Sequence, residues 1–231
     1  MTNALALRPL VDLLHLCDSL FPIGAFAHSD GLEAAVAERR VAGASGLRQW
    51  LDATLHEALA DVEAPVVLGA WRAFAARRWS ALRQIDAEMH TLRPSSTGRQ
   101  ASRAMGTRLL LTWRQTRSTG ALEELFAAID LGDGVTLPVA FGIVCSAVDI
   151  DERAAVAGFM YTRLAAATSA AMRLIAIGQH EAHRLLADIL ELVPAAVDRV
   201  LARGQRPSGF MPALDLAAMS QQYVYSRLFR S

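Results

Sequence analysis

The residues best spaced to hold a metal ion from one helix face are the histidines three apart in His180-Glu-Ala-His183. Imidazole suits nickel and zinc, but the zinc-protease pattern requires histidines four apart with Glu beside the first. The spacing excludes that enzyme and leaves a weak or transient divalent site, set against two solvated histidines at a helix end. A small helical metal-dependent enzyme using His180, His183 and nearby carboxylates is the alternative this pair keeps open. His28 and Glu33 are the other weak metal candidates; ordinary packing for the histidine and helix capping for the glutamate compete with that role. No Ser-His-Asp or Cys-His arrangement is present, because His15 and Cys17 are two apart and point to different sides of a helix. All 23 basic residues are Arg. Without lysine there is no P-loop lysine, no Schiff base and no lysine general base, so a P-loop NTPase or a pyridoxal-phosphate enzyme is disfavoured. No residue is assigned a catalytic role, and the chain reads as a non-enzyme.

Two segments suggest recognition instead. Leu20-Phe-Pro-Ile-Gly-Ala-Phe-Ala-His-Ser-Asp-Gly-Leu-Glu33 places Phe21 and Phe26 on either side of a Pro22-x-Gly24 turn that no helix can run through. Asp30-x-x-Glu33 has the spacing of a capping box for the helix that follows. A shaped apolar turn between two helices is suited to being held by a partner; the plainer reading sends both Phe rings into the core. At the other end, Tyr223, Tyr225, Leu228 and Phe229 alternate with Arg227 and Arg230. Aromatic anchors beside guanidinium groups are typical of binding hot spots, although a terminal segment of this kind can also dock on its own core.

The elements that must position these residues are helical. Apolar residues make up 53% of the chain, much of it alanine, with few β-branched runs bounded by turns. This predicts an all-α, single-domain multi-helix bundle over residues 1–231, burying roughly 70% of its unfolded surface. Helices are expected at Leu10–Leu20, from Asp30 to about Arg40, and from a Ser45 cap through Leu47, Leu51, Leu55 and Leu59, which recur every fourth residue. Others are expected from Pro65 to Arg77, Trp79 to Leu92, Gln100 to Arg117, Ala121 to Ile129 and Pro138 to Val148. Asp149-x-x-Glu152 is expected to cap the longest, a central Ala-rich helix from Arg153 to Ile177, about 38 Å long at 1.5 Å per residue. Leu131-Gly-Asp-Gly-Val is read as a turn. A further helix starts at His180, and the last begins near Ala213 after a Gly/Pro-rich turn.

Charge sums to zero but is unevenly spread: ten Arg against Asp86 and Glu88 between residues 72 and 117, then seven acids and no base between 121 and 152. Such blocks either steer a charged partner or pair with one another inside the fold, the second reading being preferred. Neutrality and the lack of a binding motif disfavour nucleic acid. Cys17 and Cys145 are too few for a disulfide framework and read as buried thiols. The first ten residues lack a signal-peptide core, and the apolar stretch Val135–Val148 falls short of the ~20 residues that span a bilayer. A cytoplasmic protein with no membrane partner is expected.

The N-terminal turn resembles the signature of the UreF family of urease accessory proteins, through Phe21, Pro22, Gly24, Phe26, His28, Ser29, Gly31, Leu32 and Glu33. Further matches follow in order: Ala101-Ser-Arg-Ala-Met-Gly106 with Leu109 and Leu110, Leu137-Pro-Val-Ala-Phe-Gly142, Arg173 with Gly178-Gln179, and Tyr225-Ser-Arg-Leu-Phe-Arg-Ser231. Two positions depart from the family pattern: Ala25 replaces a second glycine, and Gln221-Gln222 stands where His-Glu is more usual. The resemblance implies a non-catalytic scaffold that joins UreD/UreH and the GTPase UreG on the urease apoprotein for GTP-dependent nickel insertion. It implies no cofactor of its own, nickel being handled transiently by the assembled complex, and a homodimer. It also implies that the signature turn, with His28 and Glu33, lies near surfaces or passages used in nickel delivery. The segment near 213–231 would engage UreD/UreH. The partner-binding candidates are Phe21, Pro22, Gly24, Phe26, His28, Ser29, Glu33, Arg173, Gln179, Tyr223, Tyr225, Arg227, Leu228 and Phe229.

Overall fold

The four-residue repeat Leu47, Leu51, Leu55 and Leu59 shows how the sequence builds this fold. All four are buried, yet they lie on two kinds of helix: α3 (Gly43–Ala53) runs directly into a π-helical stretch, Thr54–Glu63. A four-residue step overshoots an α turn and undershoots the wider π turn, so the sequence of the two keeps the stripe facing inward. The structure is a computed structural model that describes residues 6–130, 132, 134–204 and 206–230. Among these residues it contains helices and turns only.

Before α3 come α1 (Leu7–Cys17), a 3₁₀ turn at Ala25–Ala27 and α2 (Leu32–Ala37). After it come α4 (Ala64–Ala75), α5 (Trp79–Leu92), α6 (Ser96–Arg117), α7 (Gly120–Ala128) and α8 (Leu137–Ala147). The chain continues through α9 (Glu152–Leu174), α10 (Gln179–Leu190), α11 (Val193–Arg203) and α12 (Pro212–Ser220), then a 3₁₀ turn at Gln221–Tyr223 and an irregular, bent tail. Of the expected turn 131–135, Leu131 and Asp133 lie outside the described residues.

One hydrophobic cluster runs through the whole molecule. Helix α9 is its axis, packing on α1, α2, α3, α4, α8, α10 and α11, as its small alanine side chains allow. Helix α8 packs most closely on α4 and α6 and is buried from Leu137 to Cys145.

Several expected helix starts move for identifiable reasons. Asp149 adopts φ 58° and closes α8, so α9 is capped by Asp151, whose side chain accepts from the Ala154 N–H. Helix α3 starts at Gly43 with no side-chain cap, ahead of Ser45. Helix α2 is short because Asp30, at φ 50°, cannot begin it and Arg39, at φ 58°, cannot continue it. The charge blocks pair inside the fold: Arg114 with Glu123 and Arg77 with Glu124, each at 2.6 Å, and Arg72 with Glu152 at 2.7 Å.

Helix α1 is turned outward. It buries Asp12 and Leu16 while Leu7, Leu10, Val11 and Leu14 face solvent. Asp12 is held by Arg8 at 2.9 Å and by Arg117 of α6. A buried, paired carboxylate under an exposed apolar stripe reverses the usual helix arrangement.

Candidate functional site

The N-terminal turn and the C-terminal tail, far apart in sequence, form one structure. The turn is shaped first. Gly24 sits at φ 80°, which glycine reaches without strain, and the Arg108 guanidinium of α6 donates to the Ile23 carbonyl at 3.1 Å. Ala25 is not among the residues at positive φ, so replacing glycine there costs no backbone strain. Phe21 is buried edge-on to His15, with ring centroids 5.2 Å apart, and 5.8 Å from Trp113. It serves the core, while Pro22 is exposed. The side chain of Phe26 lies outside the described residues.

Glu33 does not complete a capping box. The residue before α2 is Gly31, at φ 89°, with no side-chain cap, and the Glu33 N–H reaches only the Ser29 hydroxyl, at 3.4 Å. Its carboxylate turns instead to the tail. It accepts from Gln221 Nε2 at 2.5 Å, the Leu228 N–H at 2.6 Å and the Phe229 N–H at 3.2 Å. Gln221, fully buried, also accepts from the Ala34 N–H at 3.1 Å. Position 221 therefore needs a donor and an acceptor on one side chain, which an amide supplies. The Arg230 N–H closes the strap on the Ala27 carbonyl at 2.7 Å.

This docking sorts the tail side chains. Phe229 goes inward, 2% exposed, beneath the Arg173 guanidinium 4.2 Å from its ring centroid. Phe229 is thus a core residue here and does not present an anchor to a partner. Tyr223, Tyr225 and Leu228 point outward at 80%, 105% and 68% exposure, with Arg227 exposed beside them. On α12, Leu216 and Met219 are exposed as well. Gln179, His180 and His183 are exposed on the first two turns of α10. Among the described residues no group of three or more His, Cys, Asp and Glu is placed to hold a metal.

Between the turn and α12 lies an ionic cluster that sequence reasoning missed. Asp30 of the turn pairs with Arg163 of α9 and lies 4.0 Å from Arg93, which pairs with Glu63 at the end of the π stretch. Burial alone would raise the Asp30 carboxyl, but Arg163 and Arg93 outweigh it and hold the group below its ordinary value. These groups, with Asp215 of α12, line a cavity of about 80 Å³. Burial raises the Asp215 carboxyl, with Arg93 opposing. The available signal was Arg163 itself, the one charge between Arg153 and Arg173 in an otherwise small and apolar helix. Burial lowers the pKa of His28, helped by Arg163, Arg230 and Arg108 and opposed by Asp30. Burial also pushes the half-buried Cys17 thiol up to about 12, which keeps it unreactive.

The architecture is that of an all-helical protein whose C-terminal strap is bound to its own N-terminal turn, with apolar side chains left outside. The family model described as UreF matches residues 41–190. Curated relatives named Urease accessory protein UreF extend the likeness over the turn and the strap. The protein of Cupriavidus pinatubonensis is 35% identical over 230 residues, covering 97% of this chain and 99% of the relative. That of Ralstonia pickettii is 33% identical over 236 residues, covering both chains completely. That of Microcystis aeruginosa is 30% identical over 226 residues, covering 97% and 98%. The chain belongs to the UreF family of urease accessory proteins. No helix among the described residues is long and apolar enough to cross a membrane.

Proposed function

We propose that this chain is a non-catalytic scaffold of urease maturation, acting in the cytoplasm. It joins UreD/UreH and the GTPase UreG on the urease apoprotein, where nickel is inserted with GTP hydrolysis. Nickel is the cargo of that assembly and not a resident of this chain. The observation that carries the reading is the strap: it is fixed through backbone N–H groups, which leaves Tyr223, Tyr225 and Leu228 outward. Exposed tyrosines with a neighbouring arginine are the residue types that anchor interfaces, and here they cost the fold nothing to present.

The homodimer is the second part of the reading. The outward stripe of α1 borders an apolar cleft of about 980 Å³, lined by Leu13, Tyr161, Leu186 and Leu190 among others. This is the surface best suited to a second copy.

Capture by purified UreD/UreH tests the scaffold reading. Truncation after Ser220 is a poor test by itself, because it uncovers Glu33 and empties the Phe229 site. Joint replacement of Tyr223, Tyr225 and Leu228 by Ala leaves the docked backbone alone. Loss of capture with an unchanged melting temperature supports the proposal; undiminished capture removes the strap as a binding element.

A further inference from the structure

Glu33 is 4% exposed, and no cation pairs with it among the described residues. A buried carboxylate so placed requires donors, and it receives three, two of them successive backbone N–H groups at Leu228 and Phe229. Two consecutive N–H groups aimed at one carboxylate impose a bend on the chain there, and the bend decides which side chain turns inward. With the backbone held by Glu33 on one side and by the Ala27 carbonyl on the other, Phe229 enters the core under Arg173 and Leu228 is left outside.

We propose that Glu33 is the positioning residue of the partner site: its carboxylate sets the pose of the strap, so that the partner meets Tyr225 and Leu228 already arranged. This rests on the reading that the exposed strap is the partner's surface. Glu33 touches no partner in this account. It removes the ordering cost that a loose tail would impose on binding. Gln221 assists by bridging the carboxylate to α2, a role that needs no titrating group.

The test pairs amide exchange in the isolated chain with affinity for purified UreD/UreH. Glu33→Gln keeps the volume and removes the charge. It should speed exchange at Leu228 and Phe229 about tenfold or more, leave α9 amides unchanged, and weaken binding by a similar factor. Wild-type protection of the two amides in Glu33→Gln overturns the proposal. So does fast exchange with undiminished affinity, provided that Tyr225→Ala and Leu228→Ala do lose binding. If those two contact variants bind as wild type, the reading beneath falls, and the proposal with it. Should Glu33→Gln destabilise the whole chain, Gln221→Met removes one donor and leaves the carboxylate. Smaller changes in both readouts, in the same direction, are then expected, and faster exchange without loss of affinity overturns the proposal.

Discussion

Gly31→Ala separates close packing from backbone strain at the junction of the turn and α12. A β-carbon at Gly31 would lie 2.5 Å from the Ala218 nitrogen, 2.7 Å from the Ala217 carbonyl carbon and 2.8 Å from the Ala218 α-carbon. All three are helix backbone and cannot swing aside. Restoring the nearest to an ordinary 3.4 Å moves α12 by about 0.9 Å. A shift of that size can stretch the 2.5 Å bond from Gln221 to Glu33 by up to the same amount and loosens buried Leu214 and Ala217. The left-handed φ of 89° adds about 1–2 kcal/mol for any residue with a β-carbon. Stretching a charge-assisted hydrogen bond worth about 1.5–3 kcal/mol forfeits part of it, so a total of about 2–4 kcal/mol is expected. Gly43 supplies the control: φ is 57°, but a β-carbon there would meet no atom within 4 Å, so Gly43→Ala should cost only the strain, about 1 kcal/mol. Urea denaturation of the two variants measures the difference. Equal losses would refute the argument that α12 is seated directly on the turn.

Three further outcomes follow from the ionic cluster and the exposed surface. Asp30 has a folded pKa below its unfolded one, so its contribution is present above the unfolded value of about 3.8 and lost as pH falls through the folded value. Arg163→Met should weaken that dependence, with Arg93 left as the nearest cation, and cost about 3 kcal/mol at pH 7 by leaving Glu63 and Asp30 underpaired, measured by denaturation from pH 7 to pH 2. His28 is also depressed, but as a base: the fold favours its neutral form, so stability is complete above about pH 6.5 and declines on acidification below it. His28→Gln should remove that decline, and an unaltered pH profile would contradict the burial argument. Tyr225→Ala should change stability by less than about 0.5 kcal/mol, as expected for a side chain that packs on nothing; a larger loss in thermal melts would mean that the ring is seated.

Helices were legible in this sequence where a local pattern decides them. Trp79–Leu92 appears as expected, and α9 is the long Ala-rich axis, of 23 residues, because small side chains and a continuous helical register act within neighbouring turns. The capping boxes were not legible, since a side chain fit to cap is equally fit to pair elsewhere. Asp30 is taken by Arg163 and Arg93, Glu33 by the strap, and Asp149 by the end of α8. The tail residues were recognisable as anchors by type, but not by direction. Which of Leu228 and Phe229 faces inward depends on a carboxylate 195 residues away along the chain, and no local pattern records such a contact. The departure at Gln221, open on sequence, is explained by its two hydrogen bonds to Glu33 and Ala34.

The scaffold account is tested most directly in a host that carries the urease subunits and the other accessory genes but lacks its own UreF-family protein. Supplying this chain should restore nickel-loaded, active urease, and the form with Tyr223, Tyr225 and Leu228 all replaced by Ala should restore little at equal protein level. Full restoration by that triple variant, or nickel-free urease in the presence of the wild-type chain, would contradict the account.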